Sequence, residues 1–344
     1  MIAPTLARLL DPAPLTAAEV RTTLEVLLAP SSQEAERVAV LVALAVRPVE
    51  APELAAFALE MRRRARRFPI PSSDRPIDLC GSGGAPRPSF NVSTVSAFVV
   101  AAAGVPVVKH GNRSSRGLCG SSDLLEALGL PVTSRPDFAR TSYRRFHVAF
   151  LHAPLFHPAT RAVANARKLV GIPTLFNQLG PLSNPARVPY QVVGVPNEGT
   201  AERVAAALPR LGVRRGLAMT SREGCDEFSP RDTTTAIVWS PGHRRRWHVR
   251  PEQYLPVEDR RGNWDSLPPR IAAEEAERIL AGGGGARRGS VLLTAGAALW
   301  VVGHASSFGA GVDQAREALD SGRAERSLGQ LRELAARFPP IREG

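Results

Sequence analysis

The chain has 344 residues, of which 44% are apolar and 22% are charged, and its formal net charge is +12. A chain of this length is expected to form about two domains, and its apolar content excludes a wholly disordered protein. The excess of positive charge predicts anionic partners, either phosphorylated small molecules or nucleic acid.

The first 68 residues are predicted to be helical. Leucines and valines recur there at three- and four-residue spacing, which is typical of amphipathic helices. Thr16 followed by Glu19 predicts a capping box at the start of one helix. A fourth helix is predicted over residues 52–67, and the proline-containing segment 68–76 is predicted to be a linker.

An alternation of strands and helices follows, which predicts a mostly parallel α/β sheet. It begins with a strand at 77–80, a glycine loop, a buried helix at 92–103, a strand at 105–108, a polar loop at 109–122 and a helix at 123–128. Further strands are predicted at 148–151, 191–195, 216–220 and 236–239, and further helices at 158–169, 199–211, 272–280, 291–302 and 308–320. Residues 240–269 are charged and proline-rich, and their pattern predicts no regular element.

Two loops that follow strands carry the residue types of a phosphate site. Gly81-Ser82-Gly83-Gly84 follows the first strand, and Asn91-Val92-Ser93-Thr94 opens the next helix. Glycines allow backbone N–H groups to approach a phosphate, and a helix N-terminus adds a favourable dipole. The second loop, Lys109-His110-Gly111-Asn112-Arg113-Ser114-Ser115, is predicted to project from the same edge of the sheet, where ligands of open parallel sheets bind.

Lys109 carries particular weight in this prediction. Only Lys109 and Lys168 are lysines, although Lys and Arg together number 44. A lysine in so arginine-rich a chain indicates a site that needs a compact ammonium rather than a planar guanidinium.

A third loop, Gly224-Cys225-Asp226-Glu227, places two adjacent carboxylates after a predicted strand. Mg²⁺ prefers oxygen ligands and usually binds through one or two carboxylates together with substrate phosphates. The loop is therefore a candidate magnesium site, although an isolated Asp-Glu pair is more often simply solvated.

Taken together in this order, the motifs resemble the anthranilate phosphoribosyltransferase family. They are GSGG…FNVST, KHGNRS, GSSDLLEALG, FHPATRAVANARKLVGIPTLFNQLGPLSNP and GCDEFS, and the similarity extends over nearly the whole chain. The resemblance implies a small N-terminal helical domain, residues 1–72 with a returning excursion around 165–185. It also implies a larger α/β domain, residues 73–344, with the nucleoside phosphorylase/phosphoribosyltransferase-like fold. A homodimer formed through the helical domain is implied as well.

The resemblance further implies an activity and a set of site residues. The enzyme would transfer the phosphoribosyl group of phosphoribosyl pyrophosphate to the amine of anthranilate, a step of tryptophan biosynthesis, with Mg²⁺ as cofactor. Phosphoribosyl pyrophosphate would contact Gly81, Gly84, Ser89, Asn91, Ser93, Thr94, Lys109 and Ser121. Mg²⁺ would bind Ser93, Asp226 and Glu227. Anthranilate would contact Gly81, Asn112 and Arg167, with His157 and Pro181 along its approach. No residue is assigned as a general acid or base.

The sequence departs from the family pattern near the expected phosphate site. Ala85 stands where the family usually has Asp after its glycine loop, and Ser82 replaces Thr. Arg116-Gly117-Leu118 follow the second loop in place of serines and a basic residue, and Pro173 precedes Thr174 where Arg is common.

Two other interpretations stay open at this point. One is a different enzyme of the same fold, either a nucleoside phosphorylase or a transferase for another aromatic acceptor. Phosphorylases of this fold carry KHSTGG at the second loop, so Asn112-Arg113 disfavours them. The other is a non-catalytic nucleic-acid-binding relative, suggested by the arginine clusters at 62–67 and 243–250. A solvated arginine-rich surface explains these clusters more simply, so nucleic-acid binding is expected to be weak and non-specific if it occurs.

The compartment is expected to be the cytoplasm. Cys80, Cys119 and Cys225 are too few for a disulfide framework. The first residues lack the pattern of a secretory signal, and no apolar run approaches the ~20 residues of a membrane-spanning helix, so no membrane partner is expected.

Overall fold

A computed structural model describes residues 2–114 and 118–338. Its strands are Ile77–Gly81 (β1), Val107–Gly111 (β2), Val148–His152 (β3), Tyr190–Gly194 (β4), Arg215–Ser221 (β5), Thr234–Ser240 (β6) and His243–Val249 (β7). Its α-helices are Ala3–Leu10 (α1), Ala17–Leu28 (α2), Glu34–Val46 (α3), Ala51–Arg64 (α4), Val92–Ala102 (α5), Ser121–Ala127 (α6), Pro136–Phe146 (α7), Ala153–Phe156 (α8), Ala164–Val170 (α9), Leu175–Leu182 (α10), Glu198–Ala207 (α11), Pro269–Leu280 (α12), Ala286–Val301 (α13), Phe308–Asp320 (α14) and Arg323–Ala335 (α15).

The strands form one sheet in the order β3-β2-β1-β4-β5-β6-β7. The five strands from β3 to β5 in this order are parallel, whereas β6 and β7 are added antiparallel. After β1 the chain proceeds to β2 and β3 on one side and then crosses to β4 on the other. The carboxyl ends of β1 and β4 therefore meet at the point where the strand order reverses, which is where ligands bind in open α/β sheets.

Helices cover both faces of the sheet because residues along a strand point alternately to opposite sides. Leu79 packs in a core with α5 and α12–α15. Its neighbour Cys80 packs in a second core, which is formed by α1–α4 and α9–α11. The mostly parallel α/β architecture that the sequence predicts is confirmed.

The N-terminal helices begin where the capping signals predict. The Thr16 hydroxyl accepts a hydrogen bond from the Glu19 N–H at 3.3 Å, and the Thr16 N–H donates to the Glu19 carboxylate at 2.7 Å. This is the predicted capping box. Later in the chain, α9 packs on α3 and α10 packs on α4. The segment around 165–185 thus returns to the N-terminal helices.

Several element predictions need correction. The strand predicted at 105–108 occupies Val107–Gly111, so Lys109 lies in β2 rather than in a loop. The helix predicted at 158–169 divides into a 3₁₀ helix, Pro158–Val163, and α9. The helices α7, α8, α10 and α15 and the strand β7 were not predicted from the sequence. Arginines and histidines occupy both faces of β7 at this sheet edge, which hides the two-residue periodicity of a half-buried strand.

No helix among the described residues is long and apolar enough to cross a membrane.

Candidate active site

A cavity of about 310 Å³ opens at the carboxyl ends of β1 and β2. The glycine loop after β1 and the N-terminus of α5 form one wall, and α9 and α10 form the opposite wall. The lining includes all but one of the predicted site residues, namely Gly81, Ser89, Asn91, Ser93, Thr94, Lys109, Asn112, Ser121, Arg167, Asp226 and Glu227, together with His157 and Pro181. Three loops far apart in the sequence therefore converge on one space.

Gly84 is the predicted residue that does not line this cavity. It lies on the back of the glycine loop and lines a second, smaller cavity of about 200 Å³. A side chain at Gly84 would lie 3.7 Å from Asn177 on α10. The structure therefore places Gly84 where the glycine loop passes α10, away from the convergence of the other residues.

Lys109 projects from β2 towards the N-terminus of α5. Its ammonium donates hydrogen bonds to the Leu79 carbonyl at 2.5 Å and to the Ser93 hydroxyl at 3.1 Å, and the side chain is buried. Two of the three ammonium protons are thus used to fix the group within the protein. The position of the ammonium among the loop ends supplies a fixed positive charge to the cavity.

The acidic pair lies opposite this ammonium. The Asp226 carboxylate accepts a hydrogen bond from the Gly83 N–H at 3.0 Å. A side chain on Gly81 would come within 2.7 Å of the same carboxylate oxygen, so β1 must end in glycine to admit it. The Glu227 Oε1 atom accepts from the Ser93 N–H at 3.1 Å, whereas its Oε2 atom is buried without a partner.

Burial disfavours the charged form of both carboxylates, whereas a bound cation would favour it. Burial and the neighbouring Asp226 raise the pKa of Glu227 to about 8, and burial raises the pKa of Asp226 above its usual range. Both shifts show that negative charge is costly here until a cation compensates it. No group of three or more His, Cys, Asp or Glu ligands occurs within the described part of the chain. The two buried carboxylates and Ser93 supply oxygen ligands, which suit Mg²⁺, an ion that completes its coordination with substrate phosphates and water.

Arg167 lies on α9 and lines the part of the cavity that α9 and α10 form. Its guanidinium lies 5.4 Å from the centre of the Phe176 ring, and burial lowers its pKa. In the regions that the structure describes, no carboxylate forms an ion pair with Arg167. A half-buried guanidinium beside an aromatic ring, with its fork unused, fits a flat aromatic carboxylate.

Two histidines, His110 and His157, also line the cavity. The His110 and His157 rings are 5.1 Å apart, and each donates a hydrogen bond to a carbonyl at 3.1 Å, His110 to Gly180 and His157 to Ser183. Burial lowers the pKa of His110 to about 3 and that of His157 to about 4. Both rings are neutral at physiological pH. Because carbonyls only accept hydrogen bonds, the opposite ring nitrogens carry lone pairs, and those atoms are buried without partners.

Some contributors to the site were missed from the sequence. Gly194 ends β4 beside Gly81, and a side chain there would collide with the Asp226 carbonyl. Phe176 and Ser266 also line the cavity. Gly194 could not be singled out from the sequence, because Val195 continues the apolar run past it. Ser266 could not be found either, since it lies in the segment 240–269 that showed no pattern.

The position where the family pattern has an acid, Ala85, also lines the cavity and is buried. Of the other departures, Arg116 and Gly117 lie outside the described residues, and Leu118 is exposed.

The two arginine clusters are largely used within the fold. Arg62 is buried and donates to the carbonyls of Leu182 at 2.8 Å and Leu211 at 2.9 Å. On β7, Arg246 pairs with Glu198 at 2.8 Å and Glu202 at 3.0 Å. These contacts leave less free positive charge than the sequence suggests.

Comparison with known proteins gives consistent matches over the chain. The family model described as "Glycosyl transferase family, a/b domain" matches residues 73–325. The anthranilate phosphoribosyltransferase of Lacticaseibacillus paracasei is 37% identical over 317 residues, which are 92% of each chain. That of Natronomonas pharaonis is 39% identical over 328 residues, covering 95% of this chain and 98% of the relative.

Solved structures agree with this match. The anthranilate phosphoribosyltransferase of Thermus thermophilus superposes with a TM-score of 0.87 at 34% identity, covering 96% of this chain and 99% of that one. The Saccharomyces cerevisiae enzyme, solved in complex with PRPP and Mg, shares the fold with a TM-score of 0.85 at 24% identity and covers 98% of both chains.

Proposed function

The chain belongs to the anthranilate phosphoribosyltransferase family, and from this premise we propose that it transfers the phosphoribosyl group of phosphoribosyl pyrophosphate to the amine of anthranilate. The products are N-(5-phosphoribosyl)anthranilate and pyrophosphate, and the step belongs to tryptophan biosynthesis. The observation that carries the proposal is the convergence of a phosphate-type loop, an acidic pair and an unpaired arginine on one cavity.

The phosphate half of the cavity takes phosphoribosyl pyrophosphate in this proposal. The glycine loop and the start of α5, where the helix dipole favours negative charge, face the phosphates together with the Lys109 ammonium. The ligand contacts are assigned to Gly81, Ser89, Asn91, Ser93, Thr94, Lys109 and Ser121. Gly84 is assigned a supporting role, because it lines the second cavity rather than this one.

Mg²⁺ is the proposed cofactor, held by Ser93, Asp226 and Glu227. When bound, the ion neutralises charge that develops on the pyrophosphate leaving group. The unpartnered Oε2 atom of Glu227 supports this assignment, because a buried carboxylate oxygen without a donor is costly.

Anthranilate is assigned to the opposite half. Its carboxylate pairs with Arg167, its ring lies along Phe176, and Asn112 and Gly81 line the path towards the ribose. His157 and Pro181 line the approach. The arrangement orients the amine towards the ribose carbon that loses pyrophosphate, so positioning accounts for much of the rate.

The chain's own groups act mainly through electrostatics. Lys109 stabilises the departing negative charge, and its two hydrogen bonds hold it in place so that it need not reorganise during the reaction. The neutral His110 and His157 add no positive charge near the anthranilate amine. No residue is assigned as general acid or base.

An assay with phosphoribosyl pyrophosphate, Mg²⁺ and anthranilate tests the proposal directly. Formation of phosphoribosylanthranilate, followed by its fluorescence and by pyrophosphate release, is the expected result. Pyrophosphate release with another aromatic amine and none with anthranilate would assign a different acceptor. No turnover with any acceptor would overturn the proposal.

We also propose that the chain forms a homodimer through its N-terminal helices. Five large apolar side chains on α1, α3, α9 and the residues after α9 are exposed, namely Leu10, Val42, Val46, Leu169 and Ile172. The helices α1 and α9 both pack on α3, so these residues lie on one helical group. Apolar side chains gathered on one surface are typical of an interface.

Two further assignments accompany this one. We propose a helical domain of residues 1–72, joined by the excursion around 165–185, and an α/β domain of residues 73–344. The family-model match that begins at residue 73 supports this boundary. We propose a cytoplasmic location, which the three buried free cysteines support.

A further inference from the structure

Arg87 joins three chain segments that border the cavity. It lies between β1 and α5, in the loop that begins with the glycine run. From here on, the name glycine loop covers all of residues 82–89. Its Nη1 atom donates to Glu223 at 2.9 Å, and its Nε atom donates to Asp265 at 2.9 Å. Glu223 lies shortly before Asp226-Glu227, and Asp265 adjoins Ser266, which lines the cavity. One guanidinium therefore connects the glycine loop to residues 223–227, which carry Asp226 and Glu227 and are called the acidic loop here. It also connects the glycine loop to the segment 240–269, for which the sequence predicts no regular element.

Backbone contacts follow the same connections. The Arg87 N–H donates to the Gly224 carbonyl at 3.2 Å. Ser89 forms an antiparallel bridge with Asp265, and the guanidinium lies 5.9 Å from the ring centre of the buried Trp264. The Arg87 side chain is only about one third exposed. These contacts hold the loop at Arg87. The hydrogen bond from the Gly83 N–H to the Asp226 carboxylate holds it at the cavity.

Fixing this loop has a specific consequence for binding. The loop contains no helix or strand of its own, so its conformation depends on such contacts. A loop that is already ordered loses less conformational entropy when a ligand binds. Arg87 does not line the cavity, so any effect on substrate must act through the loop.

We propose that Arg87 is a positioning residue that holds the glycine loop and the acidic loop in the arrangement that binds phosphoribosyl pyrophosphate with Mg²⁺. The proposal rests on the proposed function of the cavity. It predicts an effect mainly on phosphoribosyl pyrophosphate, because Arg167, which pairs with the anthranilate carboxylate in the proposed function, lies on α9, an element that Arg87 does not contact.

The test compares Arg87→Met, Arg87→Lys and Asp265→Asn with the wild type. Initial rates give kcat and KM for both substrates, and calorimetry gives the Kd of phosphoribosyl pyrophosphate with Mg²⁺ in the absence of anthranilate. We expect Arg87→Met to raise the KM and the Kd of phosphoribosyl pyrophosphate about tenfold. The kcat and the KM for anthranilate should stay within about twofold of the wild-type values. Arg87→Lys should recover part of the loss, because an ammonium reaches only one carboxylate.

The matched control is Arg246→Met. Arg246 also joins two carboxylates, Glu198 and Glu202, but it lies on the edge strand β7 and does not line the cavity. This variant should leave both KM values unchanged.

Different results would separate the possible failures. A lower Tm for Arg87→Met with unchanged Kd would show a merely structural role and overturn the inference. Equal effects on both substrates would also overturn it, since they indicate general disorder of the site. A wild-type protein that binds phosphoribosyl pyrophosphate without using anthranilate would contradict the proposed reaction, while the calorimetry would still test Arg87. A wild type that does not bind it would overturn both.

Discussion

The Lys109 ammonium lies 3.1 Å from the Ser93 hydroxyl oxygen, and both side chains are buried at the start of α5. Ser93 in turn donates its backbone N–H to Glu227. The cation, the hydroxyl and the carboxylate thus form one connected group at the phosphate half of the cavity.

Lys109→Arg is expected to reduce turnover by about a hundredfold, the scale seen when one charge-stabilising donor is removed. The buried position admits a narrow ammonium, and a planar guanidinium cannot make the same two contacts. Lys168→Arg is the control, because Lys168 is the other lysine and is exposed on α9. Steady-state rates at saturating substrate check the prediction, and equal kcat values for the two variants would contradict it.

Asp226→Asn combined with Glu227→Gln is expected to abolish Mg²⁺-dependent turnover. The two amides keep the approximate shape of the loop but remove the negative charge that attracts the ion. A Mg²⁺ titration of activity provides the measurement, with Asp232→Asn in the same region as the control. Metal dependence like that of the wild type in the double variant would move the metal site elsewhere.

Arg167→Met is expected to raise the KM for anthranilate. A charge-assisted hydrogen bond contributes about 1.5–3 kcal/mol, which corresponds to roughly ten- to 150-fold. The KM for phosphoribosyl pyrophosphate should change little, because its half of the cavity is built from other elements. Arg161→Met, at an exposed position in the preceding 3₁₀ helix, is the control. An unchanged KM for anthranilate in Arg167→Met would give Arg167 a structural role.

The contribution of His157 to the stability of the protein is expected to become less favourable as the pH drops from about 6.5 to 4. Burial lowers the pKa of His157 to about 4, so in this window the unfolded state binds a proton that the folded state does not. Each pH unit below the unfolded pKa costs about 1.4 kcal/mol for this group. His157→Gln should therefore lose about 2 kcal/mol less than wild type between pH 7.5 and pH 5 in urea denaturation. Parallel pH profiles for the two proteins would be the contrary result.

Val46→Asp is expected to convert the proposed dimer into a monomer. Val46 is 80% exposed at the end of α3, and a carboxylate buried at an apolar interface lacks a partner. Light scattering after gel filtration measures the mass, and Val257→Asp, at an exposed valine outside the helical group, is the control. A monomeric wild type would refute the dimer.

Much of the fold could be predicted from the sequence, and so could most of the residues that line the cavity. Strand–glycine–helix alternation predicts a parallel sheet because short apolar runs and glycine punctuation report local conformation directly. The glycine loop, Lys109 and the acidic pair are unusual as residue types or as adjacent pairs, so they could be selected without a structure, whereas Arg167 was implied only by the resemblance to the family. Their individual roles, and the division into domains, stay predictions.

Which of these residues lie close together depends on the tertiary structure. Asp226 reaches Gly83 only because β4 lies beside β1 and β5 lies beside β4, and no spacing in the sequence records that strand order. The same holds for Gly84, which a motif places with its neighbours but which the turn of the loop directs towards α10. Arg87 had no visible role in the sequence, because its partners Glu223 and Asp265 are brought to it by segments distant along the chain. Local patterns fix elements, whereas through-space proximity depends on the register and packing of the whole sheet.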